Sequence, residues 1–173
     1  MYIDVIDMTD SLGANRIQWL DYLKAVSTRI LLYGMSNGVS QLASEIRRVA
    51  GSGSIDALRI WGHAYPGGQL ASGGTDGSSI DLHFTGISSA NFGAVSAMLS
   101  RLSPLFKTGG RAELRGCSVG SGSAGETLLT SLAGVWRVAV FGGSVVQNSG
   151  RWDPPVVRAD PSGGLQSVAG PAV

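Results

Sequence analysis

Four short apolar runs, each closing on glycine, set the frame for this chain: TRILLYG (28–34), IDALRIWG (55–62), GGRAELRG (109–116) and WRVAVFGG (136–143). Runs of this length between turn residues read as buried strands. Segments of helical period lie between them. Val39, Leu42, Ile46 and Val49 share one face of a helix that Gly51 stops. Phe92, Val95, Met98, Leu99 and Leu102 share another, which Pro104 is expected to end. Ser123 and Glu126 have the spacing of a capping box before GETLLTSLAG, a third helix. Strands alternating with helices predict βαβ units, hence a mostly parallel sheet with helices on both faces.

The remaining stretches carry weaker signals. Residues 1–24 are mixed, with RIQWLDYLKAV (16–26) spaced as a short helix. Residues 64–79 are rich in turn formers, and IDLHF (80–84) reads as a strand of a small hairpin. From Asp153 the chain holds four of its six prolines and no period. The expected organisation is one α/β domain over residues 1–152 and an irregular extension over 153–173. No internal repeat is visible.

Composition narrows the function classes. A net charge of +1 offers no electrostatic footprint for nucleic acid or an anionic membrane. Charged residues make up 14% of the chain, against roughly 25% in a typical soluble domain. So sparse a surface charge suits a protein partner or a larger parent chain. A single cysteine excludes an internal disulfide. No apolar run reaches the ~20 residues of a membrane span, and the first residues lack the pattern of a secretory leader. The expected location is the cytoplasm, or outside the cell by export without a classical signal peptide.

The stretch RGCSVGSGSAGE (115–126) fits three chemical motifs at once. Gly116–Gly120 matches the G-x-S-x-G elbow of serine hydrolases, with Ser118 as nucleophile. That arrangement needs a histidine later in the chain, and both histidines, His63 and His83, come earlier. Gly120, Gly122 and Gly125 match the G-x-G-x-x-G loop of dinucleotide sites. The ribose carboxylate expected ~20 residues later is missing, because AVFGGSVVQNS contains no acid. A loop leading into a capped helix explains these glycines better. The third motif is a thiol nucleophile at Cys117. It sits at the end of a predicted strand and just before a helix N-terminus, whose partial positive charge favours a thiolate. His63 also ends a predicted strand, so both residues are expected at the carboxyl edge of the sheet, where open α/β folds place their sites.

Histidine first and cysteine about 50 residues later is the order of caspase-type enzymes. LRIWGHAYPGG followed by AELRGCSVGSGSAGETLLTSLA resembles the paired signatures of the caspase-like cysteine peptidase clan. Within that clan the pattern is most similar to a bacterial caspase-like domain of uncharacterised role, often found in large secreted proteins. The likeness covers roughly residues 28–147.

The resemblance implies a caspase-like three-layer αβα sandwich with a mostly parallel central sheet. It implies a cysteine endopeptidase with His63 and Cys117 as catalytic pair and a thioester acyl-enzyme. The backbone N–H groups of Cys117 and Ala64 would form the oxyanion hole. Ala64 departs from the family's glycine but keeps the N–H. No cofactor or metal is implied, and two histidines and one cysteine so scattered make no zinc set. The expected partner is a peptide or protein substrate, or the chain's own parent protein. The alternative is a non-catalytic caspase-like binding or assembly module.

Three further side chains border the pair in this reading. Trp61 and His63 share a strand face by period two, so Trp61 either walls a substrate pocket or packs in the core. Arg115 shares a face with Cys117 and either recognises an acidic substrate residue or pairs with a carboxylate nearby. Ser118 completes the set. His83 alternates with Asp81 and reads as a strand-face residue.

Overall fold

The computed structural model describes residues 1–8, 27–33, 38–71, 86–147 and 151–171. In chain order the elements are β1 (Tyr2–Asp7), β2 (Ser27–Leu32), α1 (Gly38–Val49), β3 (Ile55–Trp61), β4 (Ala64–Tyr65), β5 (Gly68–Leu70) and β6 (Gly86–Ser88). Then come α2 (Phe92–Leu99), a 3-10 turn (Ser100–Leu105), β7 (Phe106–Leu114), α3 (Gly122–Trp136), β8 (Ala139–Gly143), β9 (Val156–Ala159) and β10 (Leu165–Val168).

Seven strands form one sheet in the order β2-β1-β3-β7-β8-β9-β10. The first five are parallel, β9 adds antiparallel to β8, and β10 adds antiparallel to β9. Strands β4, β5 and β6 form a separate small antiparallel sheet. The fold is therefore α/β, with a mostly parallel sheet flanked by three helices. Among the described residues no helix is long and apolar enough to cross a membrane.

Alternation along the central strands separates two faces. Ile3 and Val5, Leu58 and Ile60, and Ala112 and Leu114 join one core cluster with the helices. To it α1 contributes Val39, Leu42, Ala43 and Ile46, α2 contributes Val95 and Leu99, and α3 contributes Leu128, Leu129, Leu132, Ala133 and Trp136. Each leucine, isoleucine or valine among them, fully buried, stabilises by about 1.5–3 kcal/mol. The Trp136 indole N–H donates to the Leu99 carbonyl at 3.1 Å, which ties α3 to α2.

The other face of the central strands carries charged residues beside Ile6 and Trp61, and on β1, β3 and β7 it too is largely buried. Strand pairing places Arg29, Asp4, Arg59 and Glu113 in one row across β2, β1, β3 and β7. The charges alternate in sign along that row. Arg59 donates two bonds of 2.7 Å to the Asp4 carboxylate, and the Trp61 indole N–H donates a third of 2.7 Å. Asp4 has no exposed surface. Glu113 accepts from Arg111 at 2.7 Å and lies 3.5 Å from Arg115.

Several expectations are corrected. The opening residues are not a mixed region, because β1 runs through them as a central strand. Its acids, Asp4 and Asp7, mask the apolar pattern, yet both are buried. The second helix ends at Leu99, and Pro104 lies inside the 3-10 turn that follows. The third helix starts at Gly122 with Ser121 as N-cap and no side-chain capping bond, so Ser123 and Glu126 do not open it. The reason is contact: a Cβ on Gly125 would lie 2.3 Å from the Gly120 carbonyl carbon, so the chain turns beside Gly120 and coils at once.

Residues 153–173 are not irregular throughout. Val156–Ala159 and Leu165–Val168 extend the sheet, and Ser144 holds the Pro155 carbonyl through both its N–H and its hydroxyl. Trp152 packs with Phe141 and Val156 on the inner side of this extension. The helix expected over 16–26 and the strand expected over 80–84 lie outside the described residues.

The buried Asp4–Arg59 pair yields a test. Arg59→Met should destabilise the fold by about 3–5 kcal/mol, because it strands a desolvated carboxylate. Adding Asp4→Leu should recover most of that loss, since a packed apolar pair replaces the ions. Urea unfolding of the two single variants and the double variant measures both effects.

Candidate functional site

Strands β3 and β7 are parallel neighbours, paired through Ile60 and Leu114. The ladder runs one step further, with the Arg115 N–H donating to the Ile60 carbonyl at 2.8 Å. Trp61-Gly62-His63 and Arg115-Gly116-Cys117 therefore leave the sheet in step, at the same carboxyl edge. His63 and Cys117 are both half-buried there.

Glycine lets these two segments touch. A Cβ on Gly116 would lie 2.2 Å from the Ala64 Cβ and 2.9 Å from the Gly62 carbonyl oxygen. A Cβ on Gly62 would lie 2.9 Å from the Leu70 carbonyl oxygen. Neither position has room for a side chain. The β4–β5 hairpin continues the contact at its tip. Gly67, at φ +78°, donates its N–H to the Val119 carbonyl at 3.0 Å and presses on Ala124 at the start of α3.

Gln69, wholly buried on β5, joins the same segments through its side chain. Its Oε1 accepts the Gly116 N–H at 3.1 Å, and its Nε2 lies 3.0 Å from the Leu70 carbonyl and 3.4 Å from those of Gly62 and His63. Sequence reasoning missed this residue. Its one signal is an amide in a glycine-rich turn, and that pattern marks turns far more often than clamps.

The sulfur of Cys117 meets a second segment, the chain leaving β8. The Gln147 N–H lies 3.4 Å from Sγ, and the thiol lies 3.6 Å from the Gln147 carbonyl oxygen. The Gln147 side chain anchors that segment by accepting the Asp153 N–H at 3.0 Å and donating to the Asp153 carbonyl at 2.9 Å. Val145 and Val146, on the same segment, are among the exposed large apolar residues. Gln147 was also missed, since nothing in SVVQNS marks a cysteine partner.

Ser118 sits at φ +55°, in the left-handed region that non-glycine residues seldom adopt. Its N–H donates to the Val145 carbonyl at 2.8 Å and its carbonyl accepts the Ser121 N–H at 2.9 Å. The sharp strand-to-helix turn expected of this stretch is present. Gly120 lies so near β8 that a Cβ would be 2.6 Å from the Gly142 carbonyl oxygen. The spacing of Gly120 and Gly125 thus follows from backbone packing.

Trp61 and Arg115 belong to the buried polar face. Trp61 has 1% exposure, and its N–H is taken by Asp4. The Arg115 guanidinium lies between two indoles, 4.7 Å from the Trp61 ring centroid and 3.9 Å from that of Trp152. Of the alternatives for Arg115, pairing with a carboxylate is the one present, through Glu113. His83 lies outside the described residues. Among the described residues no three metal-ligating side chains come together. A recess of about 450 Å³ is lined by Ser103, Phe106, Lys107, Trp136 and Arg137. It sits at the amino ends of β7 and β8, the edge opposite Cys117.

Compared with family models, with curated proteins and with solved structures, the chain matches none.

The glycines separate by role. Gly125→Ala, whose Cβ would meet Gly120 backbone, should destabilise by about 1–3 kcal/mol through overpacking. Gly134→Ala, at an exposed position of α3 with nothing within 4 Å, should stabilise by about 0.5–1 kcal/mol through helix propensity. Chemical denaturation of the two variants should shift in opposite directions.

Proposed function

We propose that this chain is a caspase-like binding or assembly module that engages other protein segments without cleaving them. The observation that carries this reading is the state of the Cys117 sulfur. It lies against the N–H and carbonyl of Gln147, on a segment anchored twice to Asp153. A thiol engaged by its own backbone is poorly placed to attack a substrate carbonyl. The low charged content of 14% suits a module that meets other protein surfaces.

A second reading is a cysteine endopeptidase, and one observation favours it. Adjacent parallel strands bring His63 and Cys117 to the same sheet edge. In that reading the Cys117 thiolate attacks the scissile carbonyl carbon and forms a C–S bond. The backbone N–H groups of Cys117 and Ala64 hold the oxyanion. The C–N bond then breaks, His63 gives a proton to the leaving amine, and a thioester remains. Water, deprotonated by His63, releases the acid and restores the thiol. The substrate is a peptide or protein, or the chain's own parent.

A peptide acyloxymethyl ketone library separates the two. The binding reading expects no covalent adduct on Cys117 by intact-mass measurement, while small iodoacetamide still alkylates it. An adduct that disappears in Cys117→Ala and forms about 10²-fold more slowly in His63→Ala would establish the endopeptidase instead.

A further inference from the structure

We infer that Gln69 is a positioning residue that fixes the His63 turn and the Cys117 loop relative to one another. The inference deepens the endopeptidase reading, and rests on that reading only for the part His63 plays.

Gln69 has no exposed surface, so its amide must find its partners inside the protein. It finds them in both functional segments. Gly62 and His63 belong to the turn after β3, and Gly116 directly precedes Cys117. In the small sheet Gln69 stands opposite Ala64, the residue expected to offer an oxyanion N–H. Gly116 rests against Ala64 so closely that no side chain fits between them. The amide therefore spans the close contact between Gly116 and Ala64.

These partners need a group that both accepts and donates, as an amide does at any pH. One end must accept an N–H, from Gly116 at 3.1 Å, and the other must donate to carbonyl oxygens, the nearest being that of Leu70 at 3.0 Å. A carboxylate would set lone pairs against those carbonyls. A hydrocarbon of the same size would leave the Gly116 N–H buried and unpaired. The segments are also tied by the Arg115 N–H to the Ile60 carbonyl, at the end of the sheet, and by the Gly67 N–H to the Val119 carbonyl, at the far end of the hairpin. Loss of the amide should free the near end, where His63 and Cys117 emerge, and leave the far end tied.

The test uses the full chain with Gln69→Leu, Gln69→Glu, His63→Ala and the Gln69→Leu/His63→Ala double variant. Two quantities are read: hydrogen exchange at the Gly116 amide, and the pH profile of Cys117 alkylation by iodoacetamide. Gln69→Leu should lower Gly116 protection at least tenfold while the Leu58 and Ile60 amides stay protected. Its alkylation profile should move to that of His63→Ala, and the double variant should add nothing further.

Unchanged Gly116 protection in folded Gln69→Leu would overturn the inference. So would independent, multiplying effects of the two substitutions on alkylation. If His63→Ala leaves the parent profile unchanged, the endopeptidase reading falls, and Gly116 exchange alone decides the role of Gln69. If Gln69→Leu does not fold, Gln69→Glu decides it. The introduced carboxyl, buried beside carbonyls, should titrate above an ordinary glutamate. Its neutral form both donates and accepts, so Gly116 protection should be full below the ordinary value and fall as pH rises through the raised one. A protection factor independent of pH would overturn the inference.

Discussion

A carboxylate with no exposure, in the middle of a central strand, is the constraint on which this structure depends. Removing a charge from water costs several kcal/mol per ion unless good geometry offsets it. Asp4 is offset by a two-bond contact with Arg59 and a third bond from Trp61. Those partners are available in one register only. Because side chains alternate, a slip of one residue between β1 and β3 would set Asp4 against Leu58 or Ile60 and turn Arg59 toward the helices. Glu113 extends the same logic to β7, where it faces Arg59 across the next pairing.

The candidate site inherits that register. His63 stands two residues beyond the end of β3 and Cys117 three beyond the end of β7. With β1, β3 and β7 locked by alternating charge, the two segments leave the sheet in step. Close contact then completes the arrangement. Gly62 and Gly116 let backbone meet backbone, and Gln69 fills the hydrogen bonds this contact would otherwise leave open. Polar groups well away from the sulfur thus decide where the sulfur lies.

The same packing accounts for the ambiguity of residues 115–126. Gly116 meets Ala64, Gly120 meets Gly142 and Gly125 meets Gly120. These three contacts, with Gly122 at φ +63°, leave a glycine pattern that also satisfies a hydrolase elbow and a phosphate-binding loop. Ser118 in its left-handed conformation and the segment at Gln147 belong to this turn as well. The two proposed readings differ in one matter, whether the Cys117 sulfur stays with Gln147 or is released.

Much of the frame was legible in the sequence. Periodicity placed the strands β2, β3, β7 and β8 and the three described helices, because buried aliphatic faces leave a strong local signal. It also placed His63 and Cys117 at strand ends, and from the βαβ order it implied parallel pairing. Strand β1 was hidden, because Asp4 and Asp7 look like surface residues until their partners are known. β9 and β10 were hidden by the prolines around them. Gln69 and Gln147 had no local mark at all. Their roles arise from contacts with residues 47 and 30 positions away, and a long-range hydrogen bond writes nothing into the chain beside it. Sequence alone thus determined the segments with a strong apolar period, four parallel strands and three helices, and that His63 and Cys117 follow the ends of two of those strands. Tertiary structure alone decided which buried charges are paired, which glycines are contact points and what holds the sulfur, because each depends on atoms brought together only by folding.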